Sequence, residues 1–237
     1  MHIDPNLRIQ NPTLRSGATT KPAEVSQGIE DALVLSLIPQ ALEMTGGYGG
    51  MMGTPKAVHL QGKLTGPDGE REIHLTKTFH PEEGGFATIH GDMGEDTTLR
   101  GSTTMKDGKV KTSALYGPDF NGDGGEDNVR LEQFLVADAH VTRGRVGQSQ
   151  YEATSRWGGM NDDPGMVYNN GYILSAGGEK VTFETATQIK PQGGTEMHGR
   201  FGDLIQEGEA HMDAQGRIIM TRNIGPYHLT EQVTFER

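Results

Sequence analysis

The chain has 237 residues, no cysteine, and a formal net charge of −11 from 32 acidic against 21 basic residues. An acidic surface repels phosphate backbones, which sets nucleic acid aside as a partner. The lack of cysteine excludes disulfides, thiolate metal sites and a cysteine nucleophile. Glycine is abundant at 35 residues and aromatics are only 6%, a composition suited to many short strands joined by tight turns around a thin core.

Residues 1–21 are polar, carry Pro5 and Pro12 and show no periodicity, and are read as a flexible arm. The opening Met1-His2-Ile3-Asp4-Pro5 lacks a basic stretch followed by an apolar one, so no ordinary signal peptide is expected. Residues 22–53 are read as a helix followed by a glycine-rich linker. Pro22 suits a first helical turn, and Val25, Ile29, Ala32, Leu33 and Leu37 fall on one stripe. Pro39 is expected to kink or restart the segment. The expected role is a helix that plugs or covers the β structure, since it lacks the Lys/Arg face of a membrane-surface helix. The apolar run from Ala32 to Ile38 is too short to span a bilayer, so no transmembrane segment is expected. The linker Gly46-Gly47-Tyr48-Gly49-Gly50 is not a phosphate loop, because no Gly-Lys-Ser/Thr follows it.

From residue 54 to 237 the pattern is one of short alternating segments broken by glycine, a single β domain of about twelve strands. Val58–Leu64 and Glu72–Phe79 flank Gly66-Pro67-Asp68-Gly69 as a hairpin. Strands are expected at Phe86–His90, Thr97–Met105, Lys109–Tyr116, Val129–Thr142 and Gln148–Arg156. Met166–Leu174 reads as a hairpin around Asn170-Gly171. Lys180–Ile189, Glu196–Phe201, Ile205–Asp213, Arg217–Asn223 and His228–Glu236 complete the set.

Between Tyr116 and Val129 lies Asp119-Phe120-Asn121-Gly122-Asp123-Gly124-Gly125-Glu126-Asp127. Oxygens at alternate positions of a tight loop converge, and Ca²⁺ takes six to eight of them. Asp119, Asn121, Asp123, the carbonyl of Gly125 and Asp127 form the expected ligand set. Gly124 supplies the sharp turn. The loop is not an EF-hand, because its twelfth position is Arg130 rather than a bidentate glutamate. These nine residues resemble the calcium loop of FG-GAP repeats, the blades of integrin-type β-propellers. A propeller needs several such loops at a fixed period, and the sequence has one, so the resemblance implies the loop chemistry without the fold.

The second half of the β domain repeats the first at an offset near 108 residues. His90-Gly91 parallels His198-Gly199, and Gly117-Pro118 parallels Gly225-Pro226. Repeat one covers about 57–142 and repeat two about 166–237, and the calcium loop is an insertion in the first. A doubled meander of this kind implies an antiparallel barrel or a sandwich.

No catalytic motif stands out, and the serine elbow G-x-S-x-G is absent. The nine histidines have no metal-ligand spacing. The turn Asn161-Asp162-Asp163 is more simply a turn than a second ion site, and Trp157 more simply a core residue than a sugar platform. The leading expectation is a non-enzymatic, calcium-stabilised β protein, extracellular or at the cell surface, with a protein partner or small-molecule ligand. One alternative is a lipocalin-like or cyclase-like barrel enzyme, which requires His90, Arg100, Tyr116, His198 and Arg222 to converge in one cavity. The other is a virion or secretion component docked through residues 1–21.

Overall fold

A computed structural model describes residues 27–44, 55–67, 69–83, 86–94, 98–107, 109–117, 127–158 and 165–236. It has one helix, α1 (Gln27–Met44), and fourteen strands. These are β1 (Ala57–Gly66), β2 (Gly69–His80), β3 (Phe86–Asp92), β4 (Thr98–Lys106), β5 (Val110–Tyr116), β6 (Asn128–Val136) and β7 (Ala139–Val146), then β8 (Ser149–Trp157), β9 (Met166–Leu174), β10 (Lys180–Ile189), β11 (Thr195–Phe201), β12 (Leu204–Met212), β13 (Ile218–Ile224) and β14 (Tyr227–Glu236). Each strand pairs antiparallel with the next, and β14 closes on β1 from Ala57↔Glu236 to Thr65↔His228, giving a closed barrel. Closure leaves no strand edge free to template another chain.

Side chains alternate across the wall with the period of two that strand geometry imposes. On β1, Val58, Leu60 and Leu64 are buried, while His59, Gln61 and Lys63 face out. On β2, Ile73, Leu75 and Lys77 are buried, and Glu70, Glu72, His74 and Thr76 alternate with them on the outer face. The apolar residues therefore line the lumen, each leucine-sized side chain contributing ~1.5–3 kcal/mol by leaving water. The outer wall is polar and laced with ion pairs, including Lys63–Glu70 at 2.6 Å and His74–Asp92 at 2.8 Å.

The helix lies inside this wall. Ala32, Leu33, Val34, Leu37, Ile38, Ala41 and Leu42 are all buried, and burial around the whole circumference requires a helix that is apolar on every side. Its contacts reach opposite walls. Gln40 accepts a hydrogen bond from Arg222 on β13, and Glu30 accepts one from the Tyr227 hydroxyl on β14 at 3.3 Å. Glu43 is hydrogen-bonded by Thr142 on β7 and Tyr151 on β8. The N-terminal turn of α1 sits at the mouth formed by the β11–β12 and β13–β14 turns, where Ile29 lies beside Gly202. The strand β1 starts at the other mouth, so the chain threads the barrel before building it. Pro39 sits within α1, which continues past it to Met44.

Two glycines show how closely the strands approach. Gly91 on β3 and Gly199 on β11 face the lumen at the positions predicted to correspond. A Cβ on either would overlap a backbone carbonyl of the preceding strand, His74 and Glu184 respectively. Strands can approach this closely only where no side chain intervenes.

Two sequence expectations change. Val129–Thr142 is two strands, β6 and β7, joined through Ala137 at φ 54°; a turn built on alanine carries no glycine or proline signal. Met166–Leu174 is one continuous strand rather than a hairpin. Gly171 is there for space, because a Cβ would strike the Phe183 ring. The sheet is therefore a closed antiparallel barrel, the first of the two expected forms, with fourteen strands rather than about twelve.

Candidate functional site: the lumen and its open mouth

Strand alternation places one large apolar side chain at the lumen-facing end of every even-numbered strand. They are Phe79, Met105, Leu135, Trp157, Ile189, Met212 and Phe235, all at the mouth opposite the helix N-terminus. Phe79 and Phe235 pack against the core. The other five are exposed, with Trp157 at 56% and Leu135 at 61%. Exposed apolar residues scattered singly are ordinary, but these five share one rim of the barrel. Trp157, expected in the core, stands in this collar as the chain's single tryptophan.

Below the collar the lumen carries a belt of polar groups. Thr103 and Ser113 bond to each other at 2.9 Å, and Gln133 donates to Thr142 at 3.3 Å. Lys77 faces this belt from β2 and is 1% exposed. Burial and the positive charge of Lys111 lower its pKa to about 7, and burial lowers that of Lys111 as well. The Lys77 ammonium lies 5.5 Å from the centre of the Phe79 ring and makes no ion pair or hydrogen bond with any described residue.

Deeper still, α1 meets the wall through ionisable groups. Arg222 donates to Glu231 at 2.7 Å, with side chains only 8% and 3% exposed. Burial pushes the Glu43 carboxyl up to about 7, against the hydrogen bonds from Thr142 and Tyr151 that favour its charged form. Its Oε1 is shut off from solvent without a partner among the described residues, as is Arg222 Nε. Burial, then the Glu43 carboxylate, raises the Tyr151 phenol well above its ordinary value. Tyr151, Phe183 and Phe201 stack beside this network at 6.0 and 5.9 Å.

The enzyme reading required five side chains in one cavity, and the register separates them. Arg222 faces the lumen, whereas His90, Arg100, Tyr116 and His198 occupy outward positions. His198 lies 3.9 Å from Glu207 on the outer wall. Sequence reasoning missed Lys77, Lys111, Glu43 and the collar. The collar was legible in principle as an apolar residue ending each alternate strand, but only once strand direction is known.

No family model matches the chain, and no curated protein matches it. Among solved structures it is similar to the Acinetobacter baumannii outer membrane protein Omp33, with a TM-score of 0.54 and 6% identity over 77% of this chain and 98% of that one. At that identity the likeness concerns the fold. Membrane-spanning barrels face lipid with an apolar band about 25 Å tall, flanked by aromatic girdles. The outer wall here presents Glu, Lys, His, Gln and Thr instead. No helix among the described residues is long and apolar enough to cross a membrane, a statement that does not extend to strands.

The expectation that calcium binding is the protein's function is corrected. The structural likeness is to an outer-membrane barrel, and among the described residues no group of three or more His, Asp or Glu side chains could hold a metal ion. β5 and β6 pair directly, from Lys111↔Gln133 to Tyr116↔Asn128, so residues 117–127 join neighbouring strands of a ring already closed by backbone hydrogen bonds. Asp127 is half-buried, with its carboxylate beside Gly147 in the β7–β8 turn. Asp119, Asn121, Asp123 and Gly125 lie outside the described residues, as do Asn161, Asp162 and Asp163, residues 1–21 and the linker 45–54.

Proposed function

We propose that the protein is a small-molecule-binding barrel of the cell envelope that stands in water and receives an elongated apolar ligand through its collar. The observation that carries this reading is the polarity of the wall. Apolar side chains line the lumen, five of them exposed at one mouth, while the outer face is charged. The helix enters the ring from the opposite mouth, which suits retention rather than passage. The envelope location is suggested by the structural likeness to an outer membrane protein. The acidic net charge of −11 disfavours seating the collar on an anionic bilayer.

Trp157 gives a direct test, because it is the single tryptophan and stands in the collar. Titration of the full chain with a long-chain alcohol is expected to shift its emission saturably, at about one ligand per barrel. In detergent phase separation the protein is expected in the aqueous phase. A protein found in the detergent phase, with Trp157 emission unmoved by the alcohol, would overturn the reading in favour of a membrane-embedded wall.

A further inference from the structure

We infer that the outer wall carries a second site, a groove across β8, β9, β10 and β11 that binds an uncharged saccharide. It is independent of the lumenal ligand and shares with that reading only a wall that stands in water.

The groove has a volume of about 420 Å³, inside the range of about 300–1,000 Å³ typical of small-molecule sites. Strand register builds it. Two ladder rows of outward side chains run across the four strands. Glu152, Tyr172 and Thr182 form one row, and Asn170, Glu184 and Arg200 the other. Between the rows, Gly171 and Phe183 pair with each other and turn inward, so the floor is main chain. Sites for apolar molecules are lined with hydrocarbon. Here each side chain raised above the floor carries a polar atom, so the lining selects a polar ligand.

Charge narrows the choice. Two carboxylates meet two cations. Arg200 stands opposite Glu184 in the register, and the Lys180 ammonium lies 4.3 Å from the centre of the Tyr172 ring, whose hydroxyl donates to Glu152 at 3.3 Å. Arg143, the neighbour of Glu152 on β7, pairs instead with Glu132 at 3.5 Å. Opposed charges on neighbouring strands offset each other, so this patch favours neither an anion nor a polyamine, even on a chain of net charge −11. Carboxylates only accept hydrogen bonds, a guanidinium only donates, and amides and hydroxyls do both. A ligand that satisfies this mixture needs closely spaced groups that both donate and accept, as the adjacent hydroxyls of a sugar do. Tyr172 adds an apolar ring with a polar tip.

The experiment titrates the full chain by calorimetry with maltose, cellobiose, lactose and N,N′-diacetylchitobiose, and with spermidine and glucuronate as charged probes. At least one of the disaccharides is expected to bind saturably, at one site per barrel, and more tightly than either charged probe. Glu184→Ala and Asn170→Ala are each expected to weaken that binding roughly fivefold, the loss of one hydrogen bond, with the barrel intact by circular dichroism. Gln61→Ala, on the outer wall at β1, is expected to leave it unchanged. Binding of a long-chain alcohol, read by Trp157 emission, is expected to be the same in all three variants. Binding of none of the four disaccharides, binding undiminished in both groove variants, or tighter binding of a charged probe overturns the saccharide site and leaves the lumenal-binding reading standing.

Discussion

Replacing Glu43 with glutamine isolates the electrostatic cost of seating the helix. The Glu43 carboxyl titrates at about 7 in the folded chain, against 4.5 for an ordinary glutamate. The folded state therefore holds this proton more tightly than the unfolded state. Below pH 4.5 both states are protonated and nothing is lost. As the pH climbs to about 7 the unfolded chain releases its proton first, and the native state loses stability. At about 1.4 kcal/mol per pKa unit, the loss is ~3 kcal/mol. Glutamine stays neutral, accepts the same hydrogen bonds from Thr142 and Tyr151, and escapes the loss. For a chain of this size ~1 kcal/mol shifts Tm by about 2–4 °C. Thermal melts followed by circular dichroism should therefore place Glu43→Gln roughly 6–12 °C above wild type at pH 8, with the two converging near pH 4.5. A Tm difference that is the same at both pH values would refute the reasoning, since it would come from packing rather than from the proton.

Three further outcomes follow from the same geometry. Gly199→Ala puts a methyl group against the Glu184 carbonyl and is expected to cost about 1–3 kcal/mol in urea titration, with Gly91→Ala behaving alike. Arg222→Met strands the buried Glu231 carboxylate and is expected to cost about 3–5 kcal/mol, most of it recovered when Glu231→Leu is added; a double variant as unstable as the single one would contradict the pairing. Lys77→Met is expected to raise Tm at neutral pH. The depressed pKa means that the charged form burdens the folded state below about pH 7, by up to ~5 kcal/mol, and the wild type should close the gap between pH 7 and 10.5.

How much of this was legible varied with the length scale of the signal. Period-two alternation and glycine-rich turns gave the strands β1 and β2 and the meander as a whole, because the wall is amphipathic and each strand carries its own pattern. The β6–β7 turn was hidden because Ala137 takes a left-handed conformation without a glycine to announce it. Gly171 misled in the opposite sense, since a glycine set in a strand for clearance looks like a turn. The helix was expected to plug or cover the sheet, yet its partners Thr142, Tyr151 and Arg222 lie more than a hundred residues or nearly so away and left no local trace. Lys77 resembled any other strand lysine, and its burial follows only from which face of β2 turns inward. The acidic loop drew attention by its ligand spacing, a local pattern that says nothing about whether a fold depends on it.

The threaded helix has a consequence for how the molecule is made. α1 precedes every strand, yet it lies within the ring that the first and last strands complete. Those two strands are the most distant pair in the sequence, and their union is the step with the largest loop-closure penalty. A finished cylinder offers no side entrance, so winding the meander around the helix before the final seam zips shut is the direct route. It acts as a mandrel around which the meander is wound. Chains whose mandrel is dislodged during synthesis would be left with an open seam and two unpaired edges, the species that chaperones intercept and that aggregates when they do not.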